Sequence, residues 1–335
     1  MTPVRVGFVG AGAIAEHHLG VLLEQPDVTV AAVCDLDERR AGRVAERTGA
    51  ATFTDWQALL AAEVLDALFV CTPPMHHAAP TVAALARGLP AYVETPLARS
   101  LADGEAIVAA WRQSGVVCTV GYQWRSLDVL DELRSRLRGA QPGMLVSRSL
   151  GPTEDARRDL DQGAAWFADP RSSGGLLFEL ASHDIDLQIA LAGPVDSVQA
   201  TAGSGLLALA GRPPSPLDDA VAVLLRFAGG GIGAVHVAWS EAQRPALYSL
   251  DVLAPDVALH LALDPDFELR GRAHGTDVAV TGAVAPRMSS VTQFLAAVRA
   301  GDPAAVPSSP TDALATLRAL LACEQAIATG ASVAV

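Results

Sequence analysis

The sequence predicts an α/β domain with a parallel sheet over residues 1–120, followed by an α+β domain with a largely antiparallel open sheet over 121–335. Strand-like and helix-like segments alternate through the first 120 residues, the pattern that forces parallel pairing through right-handed crossovers. After Gly121 the alternation stops and paired strand-like runs take over. The length of 335 residues suits two domains, each able to bury its own core.

The first element is the apolar run Val4 to Val9. It breaks into Gly10-Ala11-Gly12-Ala13-Ile14-Ala15, a G-x-G-x-x-A turn that opens a helix ending near Pro26. Gly10 permits the tight turn, Gly12 lets the backbone approach a pyrophosphate, and Ala15 lets the helix sit close to the strand. The free N–H groups of the helix start, at Ala13 and Ile14, then face the phosphates. A second run, Val28 to Val33, leads to Cys34 and Asp35. Asp35 stands about 20 residues beyond the turn, where a carboxylate receives a ribose hydroxyl. These features predict a bound dinucleotide. A carboxylate at Asp35 repels a 2′-phosphate and favours NAD, while Arg39 and Arg40 offer a 2′-phosphate partner and keep NADP open.

The remaining elements follow in order. A helix from Asp37 to Thr48 stops at Gly49. Asp66 to Cys71 reads as a buried strand leading to Thr72-Pro73-Pro74, and a helix from His77 to Arg87 stops at Gly88. Ala91 to Val93 is a strand ending in Glu94-Thr95-Pro96. Ser100 and Asp103 form a capping box for a helix through Arg112, closed by Gly115. Val116 to Val120 is the last strand of this domain. Ligands of such sheets lie at the carboxyl ends of the strands. This places Cys71, Thr72, Pro73, Glu94, Thr95 and Pro96 beside the cofactor, with His77 near it at a helix start.

In the second domain Ala220 to Phe227 and Ile232 to Trp239 are joined by Ala228-Gly229-Gly230-Gly231, a hairpin signature. Tyr248 to Leu253 and Val257 to Leu263 flank a turn at Pro255-Asp256. Gly203 to Pro216 and Gly301 to Pro310 read as loops. Ser309 and Pro310 start a final helix over about 310–328.

Composition excludes several classes. The formal charge of −13 argues against nucleic acid, which needs a basic face. No apolar run is long enough to span a bilayer. The early segment around Arg5 resembles a signal peptide only superficially, because its glycines fall where a phosphate turn needs them. Cys34, Cys71, Cys118 and Cys323 are far apart in apolar segments, which indicates reduced thiols and a cytoplasmic protein. His17-His18 and His76-His77 are adjacent pairs, a poor metal geometry, so no metal is expected. All 24 basic residues are arginine, so no lysine chemistry is available.

Together these segments resemble the Gfo/Idh/MocA family of glucose–fructose oxidoreductase, inositol dehydrogenase and their relatives. The resemblance rests on the Gly10 to Ala15 turn, on Cys71-Thr72-Pro73-Pro74 followed by His77, and on Ala86-Arg87-Gly88 leading to Glu94-Thr95-Pro96-Leu97-Ala98. It continues through Gly121-Tyr122-Gln123-Trp124-Arg125, Trp166, and the stretch from Gly174 to Asp186 that contains Glu179 and His183. It implies a Rossmann domain, a nicotinamide cofactor, a small sugar-like or hydroxy/keto substrate, and a homodimer or homotetramer joined through the C-terminal sheet. The family usually has Glu-Lys-Pro where this chain has Glu94-Thr95-Pro96, and Asp where this chain has Glu179.

Oxidising an alcohol requires a base on the hydroxyl while hydride moves to the nicotinamide. His183 is the candidate acid/base, with Glu179 one turn earlier to orient it or bind a hydroxyl. Thr95 donates one neutral hydrogen bond where relatives place a cation. Arg125 and Arg171 are candidate replacement cations, and Tyr122, Gln123 and Trp166 are candidate lining residues, Gln123 on the cofactor side. Two further readings stay open: an enzyme that retains NAD and recycles it during elimination, and a dinucleotide-binding regulator.

Overall fold

The computed structural model describes residues 3–152, 166, 169–204, 218–240, 247–264 and 266–335. The chain divides into two compact units, one of Met1–Tyr122 with Arg287–Leu314, the other of Gln123–Pro286 with Ala315–Val335.

The first unit is built on six parallel strands: β1 (Val4–Val9), β2 (Val28–Cys34), β3 (Ala51–Phe53), β4 (Ala67–Val70), β5 (Ala91–Val93) and β6 (Cys118–Val120). Their spatial order is β3-β2-β1-β4-β5-β6. The order reverses between β1 and β4, which makes the carboxyl end of β1 a topological switch point. Helices α1 (Ala13–Leu23), α2 (Glu38–Thr48), α3 (Trp56–Ala62), α4 (Ala78–Ala86) and α5 (Leu101–Ser114) connect the strands.

Local chemistry fixes the helix ends. The Asp37 carboxylate accepts the Arg39 N–H at 3.0 Å to start α2, and Gly49 ends it in a left-handed conformation. Asp55 caps α3 by accepting the Gln57 and Ala58 amides. At α5 the Ser100 hydroxyl accepts the Asp103 N–H at 3.1 Å and donates to its carboxylate at 2.6 Å. The buried face of the sheet carries an aromatic stack. Phe69 lies between Phe8 and Tyr92 with ring centres 5.1 Å away on each side.

Residues 286–300 form a helix, α8, that returns to this stack from far along the chain. Phe294 sets its ring edge-on to Phe69 at 5.5 Å and to Tyr92 at 5.6 Å. The Tyr92 hydroxyl and the Ser290 hydroxyl share a hydrogen bond of 3.0 Å. Val291, Leu295 and Ala297 complete the same buried cluster with Val6, Phe8 and Leu19. The sequence suggests a single boundary near residue 120, whereas 287–314 belongs with the first unit. The reason is packing: an aromatic face on one side of a parallel sheet needs an apolar cover, and α8 supplies it.

The second unit carries nine strands: β7 (Met144–Pro152), β8 (Val195–Gly203), β9 (Ala220–Phe227), β10 (Ile232–Ser240), β11 (Leu247–Ala254), β12 (Val257–Asp264), β13 (Glu268–Ala273), β14 (Thr276–Thr281) and β15 (Val333–Ala334). Their order is β14-β13-β12-β11-β7-β10-β9-β8-β15. Every pair is antiparallel except β7 with β10, so the sheet is mixed but mostly antiparallel. The β9–β10 hairpin turns at the expected glycines, and the β11–β12 turn carries Asp256 at φ 56°. Helices α6 (Val129–Leu137) and α7 (Ser182–Ala192) belong to this unit. The last helix, α9 (Pro310–Thr329), starts where Ser309 and Asp312 bond each other reciprocally. Of the loop expected over Gly203 to Pro216, residues 205–217 lie outside the described residues. Among the described residues no helix is long and apolar enough to cross a membrane.

Candidate functional site

In the first unit the switch point is shaped by backbone. Gly10 has φ +97°, and a Cβ there would lie 2.5 Å from the Cys71 carbonyl oxygen. Only glycine lets the β1 turn press against the end of β4. At Gly12 a Cβ would meet nothing within 4 Å, so the space beside its Cα is open. Gly12 is the N-cap of α1 and provides no side-chain cap. The first amides of α1 therefore have no side-chain acceptor, a ready cradle for a diphosphate. Asp35 stands at the end of β2. Its two oxygens accept the Ala11 N–H at 2.8 Å and the Asp37 N–H at 2.9 Å. The carboxylate is locked beside the glycine turn with lone pairs left for ribose hydroxyls. The exposed Arg39 guanidinium bonds Asp37 through Nε at 3.2 Å. That bond draws the exposed Asp37 carboxyl below the usual range. Arg40 lies beside it in the first turn of α2.

On the other side of the switch point, the ends of β4 and β5 form a second wall. His77 is wholly buried between them. Its Nδ1 lies 2.9 Å from the Pro96 carbonyl oxygen, and its Nε2 lies 2.8 Å from the Thr72 carbonyl oxygen. Burial pulls the imidazole below its ordinary pKa, against the opposing pull of the Thr72 carbonyl and the Glu94 charge. Glu94 points inward, where one carboxylate oxygen bonds His18 and the other accepts the Thr95 N–H at 3.0 Å. Burial pushes the Glu94 carboxyl up, but His18, the Thr95 amide and Arg287 together draw it below the usual range. It is an ionised carboxylate inside the unit. Cys71 is also buried, and burial, reinforced by Glu94, pushes its thiol well up. Thr95 itself is half-buried at the end of this strand.

The expected set therefore divides. Gly10, Gly12, Ala13, Ile14, Ala15 and Asp35 are brought together at the end of β1, where the sequence predicts phosphate and ribose. Thr72, Pro73, Thr95 and Pro96 form the opposite wall. His77, Glu94 and Cys71 correct the expectation of direct side-chain contact with the cofactor: all three are buried, the His77 ring lies against the Thr72 and Pro96 carbonyls, and Glu94 bonds His18 and the Thr95 amide. Tyr122 is a second correction. It is 1% exposed in an apolar cluster with Val93, Leu97 and Val120, so its ring builds core.

In the second unit a π-helical turn at Leu177–Ala181 runs straight into α7. From Gly175 to Gln188 every residue is buried except Glu179, Leu180 and His183, which are half-exposed. Residues four apart share a face in either helical form, so Glu179 and His183 lie together on the single accessible stripe. Asp184, next to His183, is wholly buried, and burial pushes its carboxyl up to about 7 while the nearby Ser149 and Ser147 hydroxyls recover part of the shift. Gln188 bonds the Ser147 hydroxyl at 2.8 Å and the Ala234 carbonyl at 3.0 Å, and so fastens α7 to the sheet.

Arg125 corrects another expectation. Its guanidinium makes two bonds to Asp186, at 2.6 and 2.9 Å, and both side chains are buried. Thr316 donates to the same carboxylate at 2.8 Å. A charge neutralised by a forked, buried partner is structural. Gln123 opens the short turn before Arg125 and belongs to this second unit. Trp166 is half-buried, and its carbonyl accepts the Asp169 N–H at 3.2 Å. Arg171 sits in the short turn Pro170–Ser173, with its side chain outside the described residues. Among the described residues no group of His, Cys, Asp and Glu side chains could hold a metal ion.

Two buried devices escaped the sequence reading: the His18–Glu94 pair and the two-carbonyl clasp of His77. His18 had a weak signal, a histidine on the inner face of α1 facing an acid at a neighbouring strand end. The clasp had none, because backbone carbonyls carry no side-chain signature.

The glycine cradle, the carboxylate after β2 and the strand reversal define a dinucleotide-binding protein of the NAD-binding Rossmann type. Comparison with known proteins extends this. Residues 4–122 match GFO/IDH/MocA, the oxidoreductase family with an NAD-binding Rossmann fold, and residues 149–272 match the GFO/IDH/MocA C-terminal domain. The chain belongs to this family. It is 31% identical over 204 residues to 4-carboxy-2-hydroxymuconate-6-semialdehyde dehydrogenase of a Sphingobium species, a match covering 60% of this chain and 62% of that relative's length. It is 25% identical over 250 residues to myo-inositol 2-dehydrogenase of Thermotoga maritima, covering 74% of this chain and 71% of the relative. The fold is shared with the WlbA dehydrogenase from Bordetella pertussis, solved with NADH and UDP-GlcNAcA, at a TM-score of 0.81, 22% identity and 99% coverage of both chains.

Proposed function

We propose that this protein is an NAD-dependent oxidoreductase that moves hydride between the nicotinamide and a carbinol or keto carbon of a sugar-like or small hydroxy/keto compound. The hydroxyl proton leaves to His183 as hydride leaves the carbon, and returns from His183 in the reductive direction. One observation carries the reading: from Gly175 to Gln188 only Glu179, Leu180 and His183 are partly accessible, and the two polar ones lie four residues apart on one face. A histidine that merely packed would be buried like its neighbours. Glu179 binds a substrate hydroxyl or orients the imidazole. Thr95 adds a neutral hydrogen bond where relatives place a lysine.

NAD is the cofactor this site favours over NADP. Asp35 is fixed where a 2′-phosphate would sit, and Arg39 is already paired with Asp37. The test is a panel of cyclitols, sugars, nucleotide sugars and hydroxy acids, with their keto counterparts, run with both cofactors. Substrate-dependent interconversion of NAD and NADH is expected, at least about tenfold faster than with NADP. Product formation without net change in NADH would overturn it in favour of internal recycling.

The same reading includes self-association. Met144, Leu224, Ile232 and Leu253 fall on one exposed face of the nine-stranded sheet by their strand registers. Apolar side chains grouped on an open sheet face favour burial against a second copy. Sedimentation equilibrium should give a dimer or tetramer, and Leu224→Arg should shift it toward monomer. A wild-type monomer at micromolar concentration would count against this.

A further inference from the structure

The His77 side chain reaches the ends of two neighbouring parallel strands at once. Its ring spans the Thr72 carbonyl after β4 and the Pro96 carbonyl after β5, at 2.8 and 2.9 Å. Both neighbours are acceptors only. A neutral imidazole donates from one nitrogen, so it satisfies one carbonyl and presents a lone pair to the other. A ring used only to fill space would not be set between two carbonyl oxygens, 0% exposed, at the mouth of the sheet.

Each end of the clasp is itself fixed. The Cys71–Thr72 backbone is pressed by the Gly10 turn, where a Cβ would come within 2.5 Å of the Cys71 oxygen and 2.9 Å of the Thr72 nitrogen. On the other side, Glu94 holds the Thr95 amide and is itself held by His18. The Thr95–Pro96 segment is thus held at its amide by Glu94, and its Pro96 carbonyl lies against the His77 ring. A dinucleotide with its diphosphate on α1 and its adenosine ribose at Asp35, on the β2 side, must run its other half over β4 and β5.

We propose that His77 is a positioning residue: set between the Thr72 and Pro96 carbonyls, it donates to one and stands against the other, and so sets the spacing of the two strand ends that receive the nicotinamide half of the cofactor. The inference rests on the dinucleotide reading above. It adds that recognition of the nicotinamide half depends on a buried imidazole that does not touch it.

The experiment compares NADH with ADP-ribose, which keeps the diphosphate and adenosine but has no nicotinamide. Dissociation constants are measured by fluorescence and calorimetric titration for wild type, His77→Leu, His77→Asn and His77→Gln. Asn places an amide N–H near the Nδ1 position, and Gln near Nε2, so each can restore one tie. His77→Leu is expected to weaken NADH by about tenfold or more, the scale of a lost buried hydrogen bond, and to leave ADP-ribose within about twofold. The Asn and Gln variants should recover part of the NADH affinity. If His77→Leu does not fold, the Asn and Gln variants carry the same comparison against wild type. Equal losses for NADH and ADP-ribose would overturn the proposal in favour of a general folding role. Unchanged NADH affinity in all folded variants would overturn it too. A wild-type protein that binds neither ligand would instead defeat the dinucleotide reading on which the proposal stands.

Discussion

His183→Ala should lower kcat on any substrate the protein turns over by about a hundredfold to ten-thousandfold, the usual contribution of a positioned acid/base. NADH affinity should stay within about twofold, because the cradle of α1 and Asp35 lies in the first unit and makes no use of this imidazole. The loss should be large here because Thr95 can donate only a neutral hydrogen bond. Glu179→Gln keeps the size of the side chain and removes its charge, so its loss should be smaller. Steady-state rates with NADH-binding titrations on the same preparations check both. A His183→Ala enzyme with wild-type kcat would remove the histidine from the chemistry.

Asp184→Asn should stabilise the protein at high pH and change little at low pH. The wild-type carboxyl is raised to about 7 by burial, far above its value of about 3.9 in an unfolded chain. The Ser149 and Ser147 hydroxyls beside it offset only part of that rise. Between these two values the native state holds a proton that the unfolded state has released. Native stability is therefore full below about pH 4, falls as pH rises toward 7, and stays low above it. The full shift corresponds to roughly 4 kcal/mol at about 1.4 kcal/mol per unit, an upper figure that relaxation of the buried site reduces. Asn stays neutral throughout, so the variant should exceed wild type by on the order of 2–4 kcal/mol at pH 8 and match it near pH 4. Urea unfolding of both proteins at the two pH values reads the difference directly. A variant less stable than wild type at pH 8 would show that Asp184 is ionised and held by a partner.

What could be read before the structure was local. The Gly10 to Ala15 turn, the Gly49 stop, the Ser100 cap and the glycine hairpin after Phe227 depend on residues within a few positions of each other, and each lies where expected. What could not be read was long-range. Nothing near residue 290 announces that Phe294 will meet Phe69 and Tyr92, or that Ser290 will bond the tyrosine. Nothing near Arg125 names Asp186, 61 positions away, as the carboxylate that consumes its charge. The parallel pairing of β7 with β10 inside an otherwise antiparallel sheet is hidden for the same reason. At the candidate site, glycines and acids were visible because side-chain identity determines their chemistry. The inward turn of His77 and Glu94 was invisible because their partners are mostly main-chain atoms.

The return of α8 to the first unit has a consequence for biosynthesis. A nascent chain released at residue 122 would carry every strand of the nucleotide sheet, yet Phe69 and Tyr92 would lack the cover that Phe294 gives them. The cover arrives only when Phe294 has left the ribosome, by which time the strands of the other sheet through β14 have already emerged. The part made first is thus sealed near the end, and translation order and folding order run against each other in this protein.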